Sequence, residues 1–167
     1  MLQVMEPLTV ENLINDENFN INDYEGYIYM TSFLDVNRCY IGKKNFFHNT
    51  NVKLGKKELE NLPVTRGKKP IKKKVTKESD WKTYYGSAQE VKDLLKVTPK
   101  DRIVRSVLHI CKNKKELTYY ECKYLFQYSV LESRDIYIND NILGKFFSKD
   151  LVVWINVSIL QQWRILL

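Results

Sequence analysis

The chain has 167 residues, 44% of them hydrophobic, and a net charge of +7. That length holds one core of ordinary size with room for an extension, and that apolar content argues against a disordered chain. The charge is local: from Lys43 to Lys82, twelve Lys and one Arg face four acidic residues, which leaves the rest of the chain at −2.

A basic segment of this kind is expected to meet a polyanion; a solvated Lys-rich loop is the alternative reading of the same run. Cys39, Cys111 and Cys122 lie far apart, as do His48 and His109, so the sequence suggests neither a disulfide framework nor a zinc site. The start carries no basic apolar leader, and a reducing intracellular compartment is expected. The apolar run from Leu151 to Leu167 is interrupted by Asn156, Ser158, Gln161, Gln162 and Arg164. It is short for a membrane span and reads as a packed terminal element, with no membrane partner.

In chain order, "PLTVENLINDENFNINDYE" predicts a short amphipathic helix from near Thr9 to Asn15 or Asp16, then an acidic loop. Two strands follow, Gly26 to Phe33 and Arg38 to Lys43, joined by a turn at Asp35 to Asn37. The stretch "VKLGKKELENLPVTRGKKPIKKKVTKE" holds two Gly, two Pro and a Lys cluster, and reads as a long loop. Trp81 marks the return of ordered structure. Ser87 to Glu90 reads as a capping box opening a helix that buries Val91, Leu94 and Leu95 and stops before Pro99.

"RIVRSVLHIC", Arg102 to Cys111, reads as a third strand. A second capping box, Asn113 to Glu116, opens a helix from about Lys114 to Ser129. "IYIND" is read as extended and "FFSKDLVVWI" as the terminal element. The order β-β-α-β-α predicts an α/β (α+β) fold: a small three-stranded, mostly antiparallel sheet flanked by helices, with a Lys-rich insert.

One residue interrupts its pattern. In "ELTYYECKYLFQYSV", Leu117, Tyr120, Tyr124, Leu125 and Tyr128 share one helical face, and Glu121 lies in that stripe. A carboxylate there is costly unless a cation or donor meets it. Either Glu121 reaches solvent or a lysine at the stripe's edge, or it is a metal ligand or general acid facing the sheet. Magnesium is commonly held by one or two carboxylates plus water and phosphate oxygens.

"YIY" (Tyr27 to Tyr29) and "YIG" (Tyr40 to Gly42), with Tyr29 and Tyr40 eleven residues apart, are followed by "DWKTYYGSAQEV", "RSVLHICKNKKELTYYECKYLF" and "YINDN". Together these segments resemble the GIY-YIG nuclease superfamily, in particular a phage-type, homing-endonuclease-like subgroup, over roughly Gly26 to Asn141. The resemblance implies an endonuclease that hydrolyses DNA phosphodiester bonds with Mg2+ or Mn2+, in the cytoplasm of a bacterial host if phage-encoded. It places the metal on Glu121 and gives Tyr29 the task of orienting or deprotonating water, with Tyr40 as its hydrogen-bond partner. Lys43 is the candidate cation for lowering a phenol's pKa, Tyr84 or Tyr85 for a phosphate contact, and Asn139 matches the family's Asn.

The family's arginine falls at Thr50 here. Lys82, between Trp81 and the Tyr84-Tyr85 pair, is expected to replace it, with Arg66 or another insert residue next in line. Lys68, Lys69, Lys72, Lys73 and Lys74 are expected to bind nucleic acid. The expected organisation is a helix and acidic loop over residues 1–25, a nuclease domain over 26–145 with its basic insert at 43–82, and an apolar element over 146–167. A catalytically degenerate nucleic-acid-binding protein and a structural or interaction factor docking through its tail are the alternatives. The sequence leaves open a separate DNA-targeting domain or partner, and the oligomeric state.

Overall fold

The computed structural model describes residues 7–61 and 71–151. Its elements run α1 (Val10–Asn15), β1 (Gly26–Phe33), β2 (Arg38–Asn45), β3 (Phe47–Lys53), α2 (Lys56–Glu60), β4 (Lys72–Glu78), α3 (Gln89–Val97), β5 (Ile103–Cys111), α4 (Lys114–Gln127), β6 (Asn141–Ile142) and β7 (Phe146–Phe147). The predicted hairpin and third strand form one antiparallel sheet in the order β2-β1-β5. Among the described residues, no helix is long and apolar enough to cross a membrane. The three cysteines are free.

Alternation along β1 builds two cores. Ile28 packs with Ile41, Cys111, Leu117 and Leu125 on the face that α4 covers. Tyr27 and Tyr29 point the other way and pack with Val10, Leu13, Phe46 and Trp81. Helix α1 begins where expected, because Thr9 and Asn12 cap each other's backbone donors. It packs inward through Val10 and Leu13.

The insert is not the expected long loop. β3 and β4 pair over seven positions, from Phe47↔Glu78 to Lys53↔Lys72, as a separate two-stranded ribbon. Thr50, Val52, Val75 and Thr76 are β-branched and favour a pleated strand, a preference that the lysines between them obscure. The ribbon's base is anchored: Ser79 donates its amide to the Phe46 carbonyl (2.8 Å) and its hydroxyl to the Asn45 carbonyl (2.6 Å). Phe46 is fully buried, edge-on to Trp81. Arg66, Lys68 and Lys69 lie outside the described residues, as does the terminal element beyond Leu151.

The first capping box does not form. Ala88 is the N-cap of α3, Ser87 Oγ bonds the Tyr40 hydroxyl instead (3.1 Å), and Glu90 pairs with Arg38 (2.8 Å). At α4, Asn113 does cap Lys115 and Glu116, but Glu116 accepts from the Lys112 amide (2.7 Å) rather than from Asn113. After α4 the chain returns along the outer edge of β2. There Cys39 donates to the Ile136 carbonyl and accepts from the Ile138 amide, each at 2.8 Å.

Candidate active site

The site forms where the two faces of the sheet meet, at its β2 edge. Tyr29 pairs with Gly42 and Thr31 with Tyr40 across the hairpin, so both tyrosines leave the sheet on one face. Ile41 and Lys43 leave it on the other, toward α4. Because β2 is an edge strand, the Tyr40 ring also borders the space in front of α4. A cleft of about 510 Å³ results, lined by Tyr40, Ser87, Glu121, Arg134, Asn139 and Asp140 among others.

Two glycines set the Tyr40 ring. A Cβ on Gly42 would lie 3.0 Å from its Cε1 and 2.6 Å from the Tyr29 hydroxyl. A Cβ on Gly86, whose φ is +149°, would lie 2.9 Å from its Cδ1. Gly86 was not among the expected site residues; a Gly directly after the Tyr84-Tyr85 pair is the signal for it.

The surroundings of Tyr29 bear on one half of its expected role, the deprotonation of water. Tyr29 is buried, and burial followed by the neighbouring Tyr40 and Tyr84 phenols drives its pKa far above the ordinary range. That direction opposes service as a base. Its ring stands 6.3 Å from that of Tyr40, whose hydroxyl pairs with Ser87 rather than with Tyr29. The Tyr40 phenol is half-buried and also raised, chiefly by burial, with the Ser87 hydrogen bond working the other way.

Glu121 meets the cation that its stripe position demands. Its Oε2 lies 2.9 Å from Lys43 Nζ, and Lys43 also donates to Thr118 Oγ1 (3.3 Å). Lys43 therefore stands on the α4 face beside Glu121, away from the phenols it was expected to assist. Among the described residues no group of three His, Cys, Asp or Glu could hold a metal. Glu121 and Asp140 on the cleft wall are hard oxygen donors, a set that fits a magnesium-like ion keeping most of its waters.

Asn139 acts first as a clamp. It accepts from the Ile41 amide (2.9 Å) and donates to the Ile41 carbonyl (2.8 Å), as a strand residue would. This buried pairing fixes the cleft wall to β2.

Lys82 is not brought to the cleft. Its ammonium pairs with Glu78 (3.3 Å) and lies 5.5 Å from the Trp81 ring. Trp81 does anchor the chain, but Lys82 sits on the far side of that anchor, near Leu13 and Phe19. Tyr84 stands edge-on to Tyr29 at 6.0 Å, with Lys44 Nζ 3.7 Å above its ring, so it packs behind the hairpin. Tyr85 carries Arg105 over its ring (4.6 Å) and accepts from Thr31 through its carbonyl (2.6 Å). Thr50 lies on the ribbon.

The cation that does line the cleft is Arg134, in the turn after α4, with Nη1 donating to Ser148 Oγ (2.6 Å). It sits in no periodic element, and no sequence signal marks it.

A family model described as "Putative endonuclease segE, GIY-YIG domain" matches residues 10–142. The chain belongs to the GIY-YIG nuclease superfamily. The GIY-YIG domain takes in α1, the central sheet, the ribbon and α4, and ends at β6. It is a nuclease domain with DNA as substrate. The search of curated proteins and the search of solved structures each found no match.

Proposed function

We propose that this GIY-YIG protein is a divalent-metal-dependent DNA endonuclease of the phage-type, homing-endonuclease-like kind, working with Mg2+ or Mn2+. The observation that carries the reading is a single cleft gathering the Tyr40 phenol, the Glu121 carboxylate and the Arg134 guanidinium. Phosphodiester hydrolysis needs an oriented water and preorganised charge around the phosphate.

In this reading Tyr40, its hydroxyl held by Ser87 and its ring by two glycines, orients the attacking water. Tyr29 braces that ring from the core. Glu121, with Asp140 lining the same cleft, would hold the metal, which when bound supplies Lewis-acid charge and an acidified water. Arg134 offers the planar fork that suits phosphate oxygens and takes the place given above to Lys82. Asn139 keeps the wall in register.

A second reading has its own support. The Lys43 ammonium already neutralises Glu121, as it would in a catalytically degenerate DNA-binding protein. Nicking of supercoiled plasmid with Mg2+, with Mn2+ and with chelator separates the two. Metal-dependent nicking by the wild type and none by a folded Glu121→Ala variant supports the endonuclease. DNA binding without nicking in either metal selects the binding-only protein.

A further inference from the structure

We propose that the β3–β4 ribbon enters the major groove of duplex DNA and reads bases through one of its two faces. The inference rests on the reading of the substrate as DNA and adds where its sequence is recognised.

Pairing register assigns the faces. Asn49↔Thr76, Asn51↔Lys74 and Lys53↔Lys72 put six polar side chains on one side. His48, Thr50, Val52, Lys73, Val75 and Lys77 occupy the other. That second face carries both valines, and its Lys73 pairs with Glu58 of α2, which braces it. The first face is polar and exposed at all six positions. Only Phe47, at the base of that first face opposite Glu78, packs against the Tyr27–Phe46–Trp81 cluster, so burial accounts for the ribbon's base and not for the arm beyond it.

The side chains on the first face match a reading task. Asn makes paired hydrogen bonds to adenine and Lys bonds guanine in the major groove, which is wide enough to admit a two-stranded ribbon. Asparagine can also bond phosphate oxygens, but lysine suffices for that task, and what asparagine adds is the paired donor and acceptor that a base edge matches. Asn49 already accepts from Thr76 Oγ1 (2.9 Å), so its amide is held across the ribbon.

The ribbon also continues from the cleft. A groove of about 410 Å³ between its base and α4 is lined by Lys43, Asn49, Lys114 and Thr118. Lys43 closes the gap to Glu121 at 2.9 Å. A duplex with one phosphate at Glu121 would pass Lys43 and Lys114 and present its next groove to the first face.

The test is selection of bound duplexes from a random pool by the full chain in chelator, where no cleavage occurs. The wild type is expected to enrich a base preference. Asn49→Ala with Asn51→Ala should bind random DNA within about twofold of wild type while its preference falls about tenfold, near the low end for one bidentate contact. Thr50→Ala, on the opposite face, should leave both unchanged. The ribbon proposal is overturned if the asparagine variant keeps the wild-type preference or if Thr50→Ala loses it equally. It is overturned too if A-form RNA, whose major groove is too deep and narrow for a ribbon, competes as well as DNA. A wild type that selects bases yet never nicks overturns the proposed chemistry and leaves the ribbon standing.

Discussion

Lys43 on the sheet's edge strand and Glu121 on α4 form an ion pair at 2.9 Å, where the apolar stripe of that helix carries a carboxylate. The pair explains how that carboxylate is tolerated. It also means that a metal arriving at Glu121 meets a resident ammonium.

Removing that ammonium should strengthen metal binding. The pair is partly exposed, with side-chain exposures of 32% and 16%, so its worth is discounted for solvent. At no more than about 1 kcal/mol, Lys43→Met should bind Mn2+ about three- to fivefold more tightly. Isothermal titration without DNA measures this, with Glu121→Gln as the control that loses binding. Equal Mn2+ affinity in wild type and Lys43→Met would place the metal away from Glu121.

The two tyrosines should separate under mutation. Tyr40→Phe removes a hydroxyl at the cleft and should lower single-turnover cleavage by about 10²-fold or more. Tyr29→Phe removes a buried hydroxyl beneath Gly42 and should cost distinctly less. Equal and large losses would restore Tyr29 to the chemistry; no loss in either would reduce both to packing.

The hairpin and α4 are legible in the sequence because their signals are local: alternation in "GYIYMTSF" and helical spacing from Leu117 to Tyr128. The ribbon is not, because lysines alternate with its β-branched residues and mimic a solvated loop. Lys82 shows a different limit. A buried neighbour such as Trp81 fixes where the backbone runs but not on which side the next side chain leaves. Asn139 can be picked out by type, yet its clamp on Ile41 depends on a strand almost a hundred positions earlier. Arg134 lies in a turn with no period to mark it.

Burial of the phenols predicts alkaline sensitivity. Tyr27, Tyr29 and Tyr40 all have pKa values raised above the ordinary 10.0, with burial the leading cause. Their ionisation is favoured in the unfolded chain, so the stability they contribute is full below pH 10.0 and is lost as pH rises past it. The urea midpoint should fall steeply from about pH 10 upward. Tyr29→Phe, one titrating group fewer, should show a shallower fall, and an identical slope would mean that Tyr29 ionises freely in the folded protein.

In the proposed mechanism Arg134 carries the charge stabilisation, and it is the group that the sequence marks least. A single metal leaves much of the charge developing on the phosphate unmatched, and a cation fixed before reaction is what lowers that barrier. Among the expected replacements for the family's arginine, Lys82 is spent on Glu78 at the surface. Arg134 instead borders the same cleft as Tyr40 and Glu121, and its Nη1 is held by Ser148 Oγ at 2.6 Å. Arg134→Gln should therefore cut single-turnover cleavage at saturating DNA by about 10²- to 10³-fold, the usual cost of losing one such stabilising group. DNA affinity should change little if the lysines of the ribbon carry most of the phosphate contacts, as expected of them. Arg134→Lys should recover part of the rate, as a point charge without the fork. Ser148→Ala should lower the rate modestly by loosening the guanidinium. Wild-type cleavage by Arg134→Gln would remove Arg134 from the mechanism, and the cation would then have to be sought among Lys43 and Lys44, the next ammonium groups along β2.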